Sequence, residues 1–234
     1  MMERPKDDLI ADLEAPRWRG ALDRDERQVK DGILRMGSIV ERQIRDGVRA
    51  FASRDAVLAD AVVAGDDEID ELQRSVTDLI ATTIATQAPV ARDLRFLLAL
   101  NHVASELERI GDHAVGVAKQ VFRLPSDGPL PASADLALMG ELAAGLVKGC
   151  LRALVDADST AARAVAAGDD EVDHAYGRLF KSVVAEMKAD STAVERGAST
   201  ILVGHWLERI GDRVTNIAED VVHLATGRVE DLNP

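Results

Sequence analysis

The sequence predicts an all-α protein built from two repeated three-helix bundles. Three observations carry the prediction. Aromatic residues make up only 3% of a chain of 234 residues that is 47% hydrophobic, so Ala, Val, Leu and Ile must fill the core. That palette suits closely packed helices better than a sheet. Apolar residues recur at three- and four-residue steps over long stretches, the period of a helix with one buried face. The chain is also written twice. LERIGDHAVGVAKQVFRL from Leu107 returns as LERIGDRVTNIAEDVVHL from Leu207, 100 residues on, and their first seven positions differ only at His113 against Arg213. AGDDEID from Ala64 returns as AGDDEVD from Ala167, an offset of 103. The period is far above that of solenoid repeats, so a domain is duplicated, and the small difference in offset falls in the connection between the two motifs.

Residues 1–26, with Pro5 and Pro16, read as an N-terminal extension, whose sequence does not decide between irregular chain and a short helix around Trp18. Residues 27–123 form the first bundle. Its first helix runs over about 27–52, followed by Ser53 and Asp55, good N-caps for a second. The second helix carries Leu58, Val62, Ile69, Leu72, Val76 and Leu79 on one face, and ends near Gln87 because Pro89 cannot continue it. The third spans about 90–122, with Leu97, Leu100, Ala104, Leu107, Gly111, Ala114 and Val121 turned to the core. LPSDGPLP, residues 124–131, is the clearest linker. Residues 132–228 repeat the plan with helices over about 133–156, 159–188 and 192–225, and Gly227 supplies a C-cap. Gly111 and Gly211 fall on core faces, where a missing side chain permits close helix approach.

The formal net charge of -13 repels nucleic-acid phosphates, and no basic patch offsets it. An acidic surface attracts cations and basic partners and favours solubility. A single cysteine, Cys150, allows no internal disulfide and fits a reducing compartment. Its neighbours Val147, Leu151 and Leu154 mark it as a small buried side chain. The N-terminus is charged throughout, unlike a signal peptide. The uncharged stretch of residues 79–91 holds Thr, Gln and Pro, too short and too polar to span a bilayer. The expected compartment is the cytoplasm.

Four acidic positions in each half carry the chemistry. Asp66 and Asp70 are four apart, as are Glu108 and Asp112, so each pair shares a helix face. Folding the second and third helices into an antiparallel hairpin about Pro89 sets Asp66 level with Asp112 and Asp70 level with Glu108. In the second half Asp169 meets Asp212 and Asp173 meets Glu208, which centres the turn between Asp190 and Ser191, where the helix break falls. Facing carboxylates without a counter-ion repel strongly in a partly desolvated groove. Their oxygens suit hard cations, and the candidate ions are divalent or trivalent Mg, Mn, Fe, Ca or Zn. The competing arrangement is a solvated acidic flank neutralised by Arg92, Arg95, Arg109 or Arg209. Duplication and matching levels favour metal.

No catalytic constellation emerges, and the chain is read as a non-enzyme. Glu171 and His174 form an E-x-x-H, the spacing of di-iron carboxylate bundles, but the first-half counterpart of His174 is Glu71, so the set is incomplete. A P-loop, a G-x-S-x-G and a Cys–His pairing are missing from the sequence. Trp18 and Trp206 read as packing groups, and His102, His205 and His223 as core-edge or surface residues rather than ligands.

GDDEID, QAPVARDLR from Gln87 to Arg95, LERIGDH ending at His113 and LERIGDRVTNIAED ending at Asp220 together resemble the PhoU family, over residues 27–228. The resemblance implies pseudo-twofold-related bundles whose acidic motifs bind metal. On this chain those motifs are Asp66/Asp70 with Glu108/Asp112, and Asp169/Asp173 with Glu208/Asp212. It further implies a regulator that represses phosphate-starvation signalling and modulates phosphate uptake, linking a phosphate ABC transporter to a sensor histidine kinase. A homodimer is the expected assembly, peripheral to the membrane through those partners. The alternative function is a metal-storage or structural bundle. Gly116 and Lys119 stand where the second half has Asn216 and Glu219, so the two patches are expected to differ.

Overall fold

The computed structural model describes residues 16–125, 130 and 132–232. Among these residues the regular elements are all helical. The first half holds α1 (Pro16–Ser53), α2 (Ala56–Ala64), α3 (Asp66–Gln87) and α4 (Ala91–Lys119), which ends in a 3-10 turn over Gln120–Arg123. The second half repeats it with α5 (Ser133–Asp156), α6 (Ser159–Ala167), α7 (Asp169–Ala189), a 3-10 turn over Ser191–Ala193, and α8 (Val194–Thr226).

Two expectations are corrected. The first helix begins at Pro16 rather than near residue 27, so residues 16–26, Trp18 among them, belong to α1. Proline tolerates the first helical position because its missing N–H has no partner there anyway. Residues 1–15 lie outside the described ones, as do residues 126–129 and 131 of the expected linker. Second, the middle helix of each half is not continuous but breaks at Gly65 and Gly168. Gly65 N–H still donates to Ala61 O at 3.0 Å, closing α2, and Asp66, Asp67 and Glu68 then open α3. Asp169, Asp170 and Glu171 do the same for α7. Acidic side chains in a first turn complement the positive end of the helix. The GDDE motif is thus a helix start as well as a source of carboxylates.

The other boundaries follow local chemistry. Asp55 Oδ1 accepts from Leu58 N at 3.0 Å, and Asp158 Oδ1 accepts from Thr160 N and Ala161 N at 2.9 and 3.0 Å. These bonds cap α2 and α6. Ala88 adopts the left-handed region (φ 46°) to end α3 just before Pro89, and Gly227 (φ 73°) ends α8 by donating to His223 O at 2.8 Å.

One cluster of buried apolar side chains runs through both halves. Helix α1 packs on α4 and α5, and α8 packs on α4 and α5. The four long helices therefore form the centre, with α2–α3 and α6–α7 flanking them. Leu107 and Leu207, at equivalent positions, are both fully buried, and truncating either to Ala costs roughly 2–5 kcal/mol. Cys150 is buried as expected, and desolvation pushes its thiol up to about 12.

Helices α4 and α8 cross the junction between halves antiparallel, and equivalent positions there are filled differently. Trp206 lies on Gly116, where an added Cβ would stand 2.9 Å from Cε2 of the indole. The related pair is polar: Asn216 Nδ2 donates to Glu106 Oε2 at 3.2 Å. Buried Glu106 also faces Arg213 at 3.5 Å and His102 at 3.6 Å, and His102 Nδ1 lies 2.6 Å from Asp220 Oδ2. A buried carboxylate is tolerated only with such partners.

Candidate metal centres

Each patch sits where a GDDE helix start meets an LERIGD helix. In the first half Asp66 and Asp70 project from α3, and Glu108 and Asp112 from α4. Asp66 is half-buried, and its carboxyl is held above the usual range by burial first, then by the charges of Asp112 and Asp70. Glu108 is raised in the same way, by burial and then by Asp112 and Asp70. The antiparallel levels read from the sequence thus bring these four acids within reach of one another's charge. Asp70, Gln73, Arg74, Ser105, Glu108 and Arg109 line an open pocket of about 400 Å³ there.

The second patch is tighter. Asp169 is 8% exposed, and its Oδ1 has no hydrogen-bond partner. Burial, then Asp173, Asp212 and Glu208, push its carboxyl up to about 7. Asp173 and Glu208 are also raised, each by burial first and by Asp212 next. Gly211 explains how a carboxylate fits here, since an added Cβ would stand 1.8 Å from Asp169 Oδ1. At Gly111 the corresponding space meets Ile69 Cδ1, at 2.9 Å. Both glycines are buried and permit close approach, but only the second receives an acid.

The acids are partly balanced by cations. Arg209 Nη1 donates to Asp212 Oδ2 at 2.8 Å, and the charge of Arg109 eases Glu108. Arg92 and Arg95 do not serve this role. They line a separate cleft of about 780 Å³ whose lining includes none of the eight acids. Glu171 and His174 are exposed on α7. Asn216 is engaged with Glu106, and Glu219 Oε1 accepts from Leu232 N at 2.9 Å, so neither extends the patch. As the side chains stand, no three His, Cys, Asp or Glu among the described residues are grouped so as to hold a metal ion. The donor chemistry nonetheless suits a cation: oxygen donors, protons retained by crowding, and one buried carboxylate oxygen without a partner.

His205, expected from the sequence as a core-edge or surface residue, is exposed on α8. Its Nδ1 lies 3.3 Å from Glu208 Oε2. The three-residue spacing puts the two side chains on one helix face.

The fold and its paired patches define a class: duplicated helical-bundle proteins with a carboxylate patch on the hairpin of each repeat. The chain matches the PhoU domain over residues 33–121 and 136–221, one match per repeat, and it belongs to the PhoU family. It is 35% identical over 216 residues to a protein of Clostridium acetobutylicum named phosphate-specific transport system accessory protein PhoU homolog, covering 92% of this chain and 99% of the relative. A relative of the same name from Caulobacter vibrioides is 37% identical over 196 residues, covering 83% of this chain and 85% of its own. The crystal structure of PhoU from Pseudomonas aeruginosa superposes with a TM-score of 0.84 at 32% identity, covering 88% of this chain and 99% of that one. That of the phosphate transport system regulatory protein PhoU from Streptococcus pneumoniae also gives 0.84, at 28% identity, covering 90% of this chain and 99% of its own.

Proposed function

We propose that this chain is a metal-binding regulatory adaptor that represses phosphate-starvation signalling and modulates phosphate uptake by contacting a phosphate ABC transporter and a sensor histidine kinase. The observation that carries the reading is similarity along both repeats to proteins named as accessory to phosphate-specific transport. Binding rather than catalysis is the mode of action, exerted from the cytoplasm by a homodimer. No helix among the described residues is long and apolar enough to cross a membrane, and in this reading the transporter and the kinase bring the chain to the membrane.

The metal component rests on the carboxylates. Asp66, Asp70, Glu108 and Asp112 would hold ions in the first half, and Asp169, Asp173, Glu208 and Asp212 in the second. A bound cation supplies positive charge that offsets repulsion among acids at one level. The protein's own contribution is placement. The N-terminal ends of α3 and α7 stabilise their first-turn acids, and Gly211 leaves room for Asp169. The test is deletion of the gene: starvation genes, or phosphate uptake, should be derepressed in phosphate-rich medium, and the wild-type chain should restore repression. Normal repression and uptake in the deletion strain, with any second copy also removed, would overturn the reading and favour metal storage.

A further inference from the structure

Beside its acids the second patch has His205 where the first has Ser105. We propose that His205 is a nitrogen ligand of the second-half site, which therefore takes a borderline transition ion such as Zn²⁺, while the oxygen-only first-half site takes a hard ion such as Mg²⁺. The inference rests on the metal-binding reading above and assigns a selectivity to each site within it.

The geometry begins with His205 Nδ1 and Glu208 Oε2, 3.3 Å apart on one face of α8. Bond lengths to Zn²⁺ of about 2.0–2.1 Å for nitrogen and about 2.0–2.2 Å for oxygen put two adjacent ligands of one ion roughly 2.9–3.4 Å apart. This pair already stands at that separation. The acids that complete the set also act on Glu208, whose carboxyl is raised by burial, then by Asp212, with Asp173 adding. Asp169, less than a tenth exposed and with Oδ1 unpartnered, lies against Gly211, which stands between Glu208 and Asp212 along α8. Asp169, Asp173 and Asp212 must still turn onto the ion, because no three donors converge as the side chains stand among the described residues.

The first half lacks an equivalent. Position 105 holds Ser105, whose Oγ donates back to Asn101 O at 3.1 Å. His113 follows Asp112, but its ring stacks on Trp206 at 5.2 Å, on the α8 side of α4 rather than with the acids of α3. Imidazole suits Zn, Cu, Fe and Ni, whereas carboxylates alone suit Mg, Ca and Mn. The duplication has thus produced two patches with a shared acidic plan and different ligand softness.

The test uses Mn²⁺, a paramagnetic divalent probe, with the full chain. The double variant D70N/E108Q silences the first half, and pulsed electron paramagnetic resonance then reads ligands of the second. A directly bound imidazole should appear as ¹⁴N modulation, and adding H205A should abolish it. Zn²⁺ affinity of the second half should fall at least about tenfold in H205A, with Mg²⁺ binding to the first half unchanged in the otherwise wild-type chain. Circular dichroism confirms the fold, since His205 is exposed. Mn²⁺ bound with equal affinity and no nitrogen modulation would overturn the His205 assignment and leave the metal reading intact. Failure of Mn²⁺, Zn²⁺ and Mg²⁺ alike to bind either half would remove both.

Discussion

Asp169 Oδ1 stands 1.8 Å from the point where a Cβ on Gly211 would lie, so an acid of α7 and the bare backbone of α8 share one notch. Gly211→Ala forces that carboxylate to move. The expected result is a second-half metal affinity at least about tenfold weaker, with a stability loss of about 1–3 kcal/mol from overpacking. Gly111→Ala meets Ile69 Cδ1 at 2.9 Å and Gln43 Oε1 at 3.6 Å, neither of them an acid of the patch, and should leave the first-half affinity unchanged. Calorimetric titration of the two variants, each with the opposite patch silenced, makes the comparison. Equal affinities would contradict the assignment of Asp169.

Stability of the metal-free chain should depend on pH through Asp169. Its carboxyl is pushed up from 3.8 to about 7, chiefly by burial and then by Asp173, Asp212 and Glu208. Between those values the folded chain holds a proton that the unfolded chain has released. Stability is therefore greatest at the acid end of this window and falls as pH rises through it. Asp169→Asn should be the more stable at pH 8 in chelator, by the order of 2 kcal/mol, and should lose much of this pH dependence. Urea denaturation at pH 5 and pH 8 measures the difference. Metal acts oppositely: binding needs the ionised acid and releases its proton, so affinity should rise over the same window.

Alanine at both Asp70 and Glu108 should reduce first-half metal content and spare the fold. Asp70 is exposed and Glu108 half-buried, neither in the apolar core. Removing repelling charges should change metal-free stability by about 1 kcal/mol or less, in the stabilising direction. Thermal denaturation with and without metal checks this, and unchanged metal stoichiometry would contradict the assignment.

Glu106 should behave as a structural acid. It is 4% exposed and joined to Asn216, Arg213 and His102 across the junction of the halves. Glu106→Ala leaves Arg213 without this buried partner, and should cost about 3–5 kcal/mol while leaving metal affinity unaltered. Denaturant titration beside metal titration separates the two effects.

The helix order and the levels of the eight acids were legible because hairpin geometry ties sequence distance directly to height. Asp66 opposite Asp112 and Asp169 opposite Asp212 needed only the turn positions. The breaks at Gly65 and Gly168 were not legible from apolar periodicity, because Val62 and Ile69 keep the same phase across the kink. The shared core was hidden for a different reason. Residues 124–131 suggest separation, and nothing local in α4 announces that Glu106 will meet Asn216 over a hundred residues away. The exposure of His205 on α8 accords with the sequence, whereas its 3.3 Å approach to Glu208 depends on side-chain rotamers that spacing does not fix.

The central claim is that the eight acids hold metal in the working protein. The most direct measurement is elemental analysis of the full chain, purified without chelator, beside a variant carrying Asp70→Ala, Glu108→Ala, Asp173→Ala and Glu208→Ala. Wild-type protein should retain transition or alkaline-earth metal through gel filtration, and the variant, folded by circular dichroism, should lose it from both halves. Equal metal content in the two proteins, or a wild-type chain that binds none even after incubation with Mn²⁺, Mg²⁺ and Zn²⁺, would contradict the claim.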